Sequence, residues 1–169
     1  WAFAAAYDPD REVIVTYGGG GYLDPYDEDA QALGTFEWDG VSWVEATQPI
    51  EHYRLRDSHM VYDPIQQKMV MFGGEVNGSP STRTFLYDAT NWEEIALDQV
   101  FPGIRGGYGL AYNPTDHTTF MANSWIWDGE NWTQIYPEET PPIGYTIDSA
   151  MVYFDSRNEF VLFGGKDNM

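Results

Sequence analysis

One strand pattern, rich in aromatic residues and glycine, occurs four times along this chain. Each copy starts at a shared tyrosine, and three copies carry a glycine pair eleven residues further on. The tyrosines are Tyr7, Tyr62, Tyr112 and Tyr153, and the pairs are Gly18-Gly19, Gly73-Gly74 and Gly164-Gly165. Self-similarity at steps of 55, 50 and 41 residues indicates stacked supersecondary units, each of which buries its apolar surface against its neighbours.

A second element lies between the copies. It consists of an aromatic residue, another aromatic two residues later and a tryptophan five residues after that. It occurs as Phe36, Trp38 and Trp43, as Phe85, Tyr87 and Trp92, and as Trp125, Trp127 and Trp132. The third copy of the first element is degenerate, because Asn123-Ser124 replaces the glycine pair.

Together these elements resemble the kelch repeat over nearly the whole chain. The resemblance implies an all-β fold in which each repeat forms one kelch-type β-propeller blade, a four-stranded antiparallel meander. About three and a half blades are predicted, which makes a partial propeller. Their approximate bounds are 1–48, 54–97 and 105–136 for the full blades and 147–169 for the half blade.

The repeated residues are interpreted as structural. Glycine pairs end the second strand where the backbone bends or approaches a neighbour closely, which a Cβ would obstruct. Tryptophans at one fixed repeat position are typical of packing between blades. Arg105 in Pro102-Gly103-Ile104-Arg105 matches an arginine that precedes the first strand of kelch repeats, so the resemblance implies a tie between neighbouring blades.

Short and long connections alternate along the chain. Asp8-Pro9, Asp63-Pro64 and Asn113-Pro114 predict turns between first and second strands, and Asp39-Gly40 and Asp128-Gly129 predict tight hairpins between third and fourth strands. Since strands alternate in direction, these short turns share one face of a propeller. The other face receives the long connections, which are 18–34, 73–83, 47–57, 96–105 and 136–148. Function concentrates in variable loops on a rigid scaffold, so the binding face is predicted there.

The first long connection combines tyrosines with acids. Its candidate binding residues are Tyr22, Asp24, Tyr26, Asp27, Glu28 and Asp29. Calcium prefers several carboxylate and carbonyl oxygens, so Asp24, Asp27 and Asp29 form a candidate metal site. The loop lacks the ligand spacing of an EF-hand, and a solvated acidic loop is the alternative interpretation. No other cofactor is predicted.

Further candidates for the binding face are His52, Tyr53 and Arg54 in the second connector and Tyr145 in the last. An exposed polar loop is the alternative interpretation of the first three. His59 is predicted in a first strand near the axis of the ring, and His117 in a short turn.

Charge and composition narrow the classes of partner. The net charge is −19, with 27 acidic and 8 basic residues, whereas nucleic-acid binding needs a basic face. No nucleic-acid partner is therefore expected. Membrane insertion is not expected either, since no stretch approaches the length of an apolar membrane span. There is no cysteine, hence no disulfide and no thiolate chemistry. An acidic, lysine-poor repeat chain favours an extracellular or cell-surface location, with the cytoplasm as the alternative.

A ring of four to eight blades needs more strands than this chain supplies. The chain is therefore interpreted as a segment of a longer polypeptide, with assembly of short chains as the alternative. Two copies would supply seven blades' worth of strands.

Three functions are compatible with this pattern. The favoured one is a non-catalytic binding module that presents its long loops to a protein partner. The second is carbohydrate binding through loop tyrosines, since the blade pattern already uses most tryptophans. The third is an enzyme completed by residues outside this segment: copper radical oxidases among kelch relatives use a tyrosine crosslinked to cysteine, which this chain lacks.

Overall fold

A computed structural model describes residues 3–19, 34–47, 50, 55–76, 79–96, 108–122, 124–136 and 146–167. Most of these residues lie in β-strands and none of them lies in an α-helix, so the predicted all-β class is confirmed. Three antiparallel four-stranded sheets follow one another, each connected from neighbour to neighbour as a meander. A two-stranded sheet comes after them.

Sheet 1 contains β1 (Phe3–Asp8), β2 (Val13–Gly18), β3 (Thr35–Trp38) and β4 (Trp43–Thr47). Between sheets 1 and 2 the chain forms β5 (Leu55–Arg56). Sheet 2 contains β6 (His59–Asp63), β7 (Lys68–Phe72), β10 (Thr84–Tyr87) and β11 (Trp92–Ile95), and β8 (Glu75–Val76) and β9 (Ser79–Pro80) interrupt it between β7 and β10.

Sheet 3 contains β12 (Leu110–Asn113), β13 (Thr118–Met121), β14 (Trp125–Trp127) and β15 (Trp132–Gln134). Sheet 4 pairs β16 (Thr146–Phe154) with β17 (Glu159–Asp167), which are separated by the 3-10 turn Asp155–Arg157. The remaining strands β5, β8 and β9 form a separate three-stranded sheet, named here the small sheet.

The four sheets stand side by side in chain order. Their first strands are neighbours, since β1 contacts β6, β6 contacts β12, and β12 contacts β16. Each sheet therefore presents one face to the sheet before it, its rear face, and one face to the sheet after it, its forward face. Side chains alternate between these faces along every strand.

Two apolar cores fill the spaces between the first three sheets. The first core joins the rear face of sheet 2 to the forward face of sheet 1, and its main residues are Val15, Tyr17, Met60, Met69, Met71, Phe85 and Tyr87. The second joins the rear face of sheet 3 to the forward face of sheet 2, with Val70, Phe72, Leu86, Leu110, Met121, Trp127 and Trp132. Burial of large apolar side chains contributes about 1.5–3 kcal/mol each, so these two contacts hold the stack together.

Sheet 4 packs on sheet 3 in the same way. The rings of Phe120 and Phe160 lie 4.7 Å apart between centroids. Gly109 brings the backbones close, because an added Cβ there would lie 2.7 Å from the Cβ of Met151.

Side-chain oxygens close the short turns between strands. In the first-to-second-strand turns, Oδ1 of Asp8, Asp63 and Asn113 accepts a hydrogen bond from the backbone N–H two residues later, at 2.9–3.0 Å. The third-to-fourth-strand turns use Asp39, Asp88 and Asp128 in the same manner. The Thr90 hydroxyl and the backbone N–H groups of Asn91 and Thr90 lower the pKa of the Asp88 carboxyl to about 2.

The glycine pairs differ between copies. Sheet 2 follows the prediction, because β7 ends at Phe72 opposite His59, the first residue of β6. In sheet 4 the prediction is wrong: β17 continues through Gly164 and Gly165 to Asp167, since β16 already begins at Thr146 and supplies pairing partners. In the degenerate third copy Ser124 adopts φ 69°, the left-handed region that Gly74 occupies with φ 76° in the second.

Candidate functional site

The small sheet lies at the end of the stack where the first strands begin. Its strand β5 pairs with β8, and β8 pairs with β9 in a hairpin. The Arg56 Nε donates to Glu75 Oε2 at 2.6 Å and ties the two loops together by an ion pair. The 73–83 connection, predicted as an irregular loop, is therefore partly ordered by pairing with the connector between sheets 1 and 2.

The glycine pairs hold this connector close to the sheets. The Gly19 N–H donates to Leu55 O at 3.1 Å, and a Cβ at Gly18 would overlap the same carbonyl. At Gly74 a Cβ would overlap Arg56 O and the Ser58 side chain. Close approach is thus the physical reason for glycine at Gly18 and Gly74, in addition to their positive φ.

An open cavity of about 490 Å³ lies beside the small sheet, at the starts of the first strands. All four first strands contribute to its wall. The lining residues are Phe3, Ala4, Ala5, Asp57, Ser58, His59, Met60, Leu110, Ser149, Ala150 and Met151. Its size is in the range of small-ligand and side-chain pockets, and polar atoms contribute slightly more of its surface than apolar atoms do.

The two serines of the cavity are already used by the fold. Ser58 Oγ donates to Gly73 O at 3.1 Å, and Ser149 Oγ accepts from the Gly109 N–H at 3.4 Å. Asp57 and His59 are the ionisable side chains of the lining. Asp57 has φ 56°, so its position is set by the sharp bend between β5 and β6. A carboxylate and an imidazole in this wall can contribute to the binding of a polar or cationic side chain, and both residues also interact within the described structure.

Metal binding is not indicated by the described part of the chain, which contains no group of three or more His, Cys, Asp or Glu side chains arranged to hold an ion. The calcium site predicted at Asp24, Asp27 and Asp29 lies outside the described residues and stays a prediction.

The remaining predicted binding residues also lie outside the described residues: Tyr22, Tyr26, Glu28, His52, Tyr53, Arg54 and Tyr145. His59 does lie in a first strand, β6, and lines the cavity with Asp57 and Ser149. The last two were not identified from the sequence. Their signal is positional: Asp57 lies just before a first strand, and Ser149 directly follows the predicted connection 136–148.

The tryptophans of the repeat lie in two kinds of surroundings. Trp92 Nε1 donates to Thr35 Oγ1 at 2.7 Å, and Trp132 Nε1 donates to Thr84 Oγ1 at 2.9 Å, so each indole bonds the preceding sheet. Trp43 is 54% exposed and its ring lies 5.6 Å from that of Trp38 in its own sheet. Arg105, the predicted tie between blades, lies outside the described residues.

Comparison of the chain with protein-family models and with curated proteins finds no match. Among the described residues, none of the helical structure is long and apolar enough to cross a membrane.

Proposed function

We propose that this chain is part of a kelch-type β-propeller that binds a protein partner at the end carrying the small sheet, within a secreted or cell-surface protein. The observation that carries the proposal is the cavity lined by all four first strands, next to two loops fixed together by an ion pair. Rigid strands around a concave site, edged by longer loops, suit the recognition of a protruding side chain or loop.

The propeller part of the proposal is supported by the arrangement of the sheets. They are meanders whose first strands adjoin in chain order, and their faces pack in one repeated direction. The indole-to-threonine bond recurs at equivalent positions of two successive contacts. A radial stack of this kind is the arrangement of propeller blades.

The partner surface we propose is basic. A net charge of −19 repels acidic surfaces and steers cationic ones towards the chain, and Asp57 supplies a carboxylate inside the cavity. Sugar binding has less support from the described residues: Trp92 and Trp132 are engaged between sheets, and the loop tyrosines that would bind a sugar lie outside those residues.

The test is selection of binding peptides from a displayed random library on the immobilised chain. We expect enriched clones to be rich in lysine and arginine and to lose at least about tenfold in affinity when Asp57→Asn and His59→Ala are combined. Asparagine tolerates the left-handed backbone of Asp57, so the first substitution removes charge without adding strain.

The matched control is Val41→Ser, which changes an exposed apolar residue in a short turn at the opposite end of sheet 1. This variant should bind the same clones as the unchanged chain does. No enrichment of basic clones, or equal loss of binding in Val41→Ser, would refute the proposed site. Retention on immobilised glycans that survives the Asp57 and His59 substitutions would favour the carbohydrate alternative instead.

A further inference from the structure

The two ends of the stack of sheets expose apolar faces that inside the stack are covered. On the rear face of sheet 1, Phe3 is 56%, Tyr7 54% and Trp43 54% exposed. On the forward face of sheet 4, Val161 is 46% and Phe163 80% exposed. Contiguous apolar faces of this kind mark interaction surfaces in soluble proteins.

Inside the stack, the corresponding residues have fixed partners. The repeat puts Trp43 at the position of Trp92 and Trp132. The ring of Trp92 lies 4.9 Å from Tyr17 of sheet 1, and that of Trp132 lies 4.9 Å from Phe72 of sheet 2. An aromatic residue at the end of the second strand thus receives the tryptophan of the next sheet.

Phe163 occupies the position of Tyr17 and Phe72 in sheet 4, ten residues after the shared tyrosine. The chain therefore exposes both halves of a contact that it makes internally: a tryptophan without a receiving aromatic at one end, and a receiving aromatic without a tryptophan at the other. These statements about Trp43 and Phe163 concern contacts among the described sheets.

We infer that the rear face of sheet 1 docks on the forward face of sheet 4 in a second copy of this chain. The stack of sheets then continues from one copy into the next in the direction that it has within each copy. This inference does not rest on the proposed function, since the residues of the two outer faces that carry it, apart from Phe3, are not part of the cavity lining.

A polar contact supports the same register. In two of the three contacts within the stack, the shared tyrosine reaches the turn of the preceding sheet: Tyr62 Oη donates to Asp10 Oδ2 at 2.6 Å, and Tyr153 Oη lies 3.1 Å from Thr115 Oγ1. The hydroxyl of Tyr112 instead lies 3.4 Å from His117 Nδ1 of its own sheet. Asp10 and Thr115 each come three residues after their own shared tyrosine. Continuation of the stack places Tyr7 against the equivalent residue of sheet 4, Ser156, whose hydroxyl can bond a phenol as Thr115 does.

A second polar contact inside the stack is consistent with the same register between copies. Gln66 Nε2 of sheet 2 donates to the Gly129 carbonyl in the hairpin turn of sheet 3, at 3.1 Å. The equivalent pair across the proposed contact is Arg157 of sheet 4 and Gly40 of sheet 1. Both are exposed, and a Cβ built on Gly40 has no atom within 4 Å, so the turn has room for the guanidinium.

The contact is head-to-tail, which either closes a ring of copies or extends into a filament. Two copies supply six four-stranded and two two-stranded sheets, or seven blades' worth of strands, which is within the range of closed propellers. Because each copy has a net charge of −19, association should strengthen with salt, which screens the repulsion between copies.

The first measurement is the mass of the 169-residue chain in solution by light scattering after size exclusion, at low and at high salt. We expect at least twice the monomer mass of 19.3 kDa at high salt. Ile14 pairs directly with Tyr7 and lies on the same rear face, where it is 39% exposed. Ile14→Asp on the rear face and Val161→Asp on the forward face should each reduce the particle to a monomer. Ile65→Asp, an equally large change at an exposed turn of sheet 2, should leave the mass unchanged.

Mixing makes the test specific for a head-to-tail contact. The Ile14→Asp chain keeps its forward face and the Val161→Asp chain keeps its rear face, so an equal mixture should form a one-to-one pair through one intact contact. Trp43→Ala with Phe163→Ala is a second pair at more exposed positions, in case an aspartate disturbs folding. A monomer at every salt concentration, or association that neither face variant reduces, would overturn the inference, as would monomeric mixtures of two folded variants.

Discussion

The contact between sheets 1 and 2 and the contact between sheets 2 and 3 share one feature and differ in most others. Both contain an indole that donates to a threonine hydroxyl of the preceding sheet. Around this pair the first contact is polar, with Tyr87 Oη donating to Glu37 Oε1 at 3.2 Å. In the second contact Trp127 replaces Tyr87 and Leu86 replaces Glu37, and the pair forms no hydrogen bond.

The difference shows which part of the repeat is required for stacking and which part can vary. A tryptophan with its threonine occurs in both contacts, whereas the neighbouring pair is tyrosine with glutamate in one and tryptophan with leucine in the other. The tryptophan and leucine of the second contact do not replace the hydrogen bond between tyrosine and glutamate. Trp127 Nε1 and Thr119 Oγ1 are buried in the second contact without a hydrogen-bond partner among the described residues. Such groups are costly because burial removes their bonds to water.

The largest effect expected is from Trp132→Ala. Trp132 is 5% exposed and packs against Phe72 and Trp127, so its removal should lower the free energy of unfolding by about 3–5 kcal/mol. Trp92 is less completely buried, and Trp92→Ala should cost less. Urea denaturation followed by circular dichroism measures both.

The control for this pair is Tyr136→Ala, which truncates an aromatic side chain that is 83% exposed and should change stability by less than about 0.5 kcal/mol. Equal losses in Trp132→Ala and Tyr136→Ala would show that packing between sheets 2 and 3 does not stabilise the chain.

The strands and turns on both sides of these contacts could be predicted from the sequence. The side chains that meet across the contacts could not. Turn residues such as Asp63-Pro64 and glycine pairs such as Gly73-Gly74 act locally, so the second strand predicted between them is found as β7, Lys68–Phe72. The partner of each tryptophan is a long-range property. Thr35 and Trp92 are 57 residues apart, and no local rule indicates that their side chains meet.

The residues of the candidate site were harder to predict from the sequence for the same reason. His59 could be placed near the axis because it lies in a first strand, whereas Asp57 and Ser149 line the cavity through the relative positions of separate sheets. The hairpin of β8 and β9 also escaped prediction, since two-residue strands carry almost no periodic signal. Its order depends on pairing with β5, 20 residues earlier in the chain.

The second prediction concerns alkaline pH, to which only the first contact should be strongly sensitive. Burial raises the pKa of Tyr17 to about 12 although the Ile50 N–H donates to its oxygen, and burial together with Glu37 raises the pKa of Tyr87 further. Between about pH 10 and pH 12 the unfolded chain loses these protons while the folded chain keeps them, so stability falls as the pH rises. The contribution of Tyr17 is about 2 kcal/mol, fully present below pH 10 and lost by pH 12.

Thermal unfolding between pH 8 and pH 12 checks this sign. Tyr17→Phe installs the residue that sheet 2 has at the equivalent position, Phe72. It should reduce the alkaline loss by the share of Tyr17 while keeping the aromatic contact with Trp92, and the share of Tyr87 should remain. An unchanged pH profile in this variant would assign the alkaline sensitivity to other groups.

The smallest effects, and the sharpest comparison, come from two buried threonines that receive the same substitution. Thr84 accepts the hydrogen bond of Trp132, so Thr84→Val leaves a buried indole N–H unpaired and should destabilise the chain by about 1–2 kcal/mol. Thr119 has a buried hydroxyl with no described partner, so Thr119→Val replaces it by a methyl group of similar shape and should stabilise the chain by about 0.5–1 kcal/mol. Both variants change the same atoms in strands of adjacent sheets, and urea titrations of the two chains side by side give the sign directly. Two losses of similar size would mean that Thr119 has a bonded water or other partner in solution, and that the second contact is as well satisfied as the first.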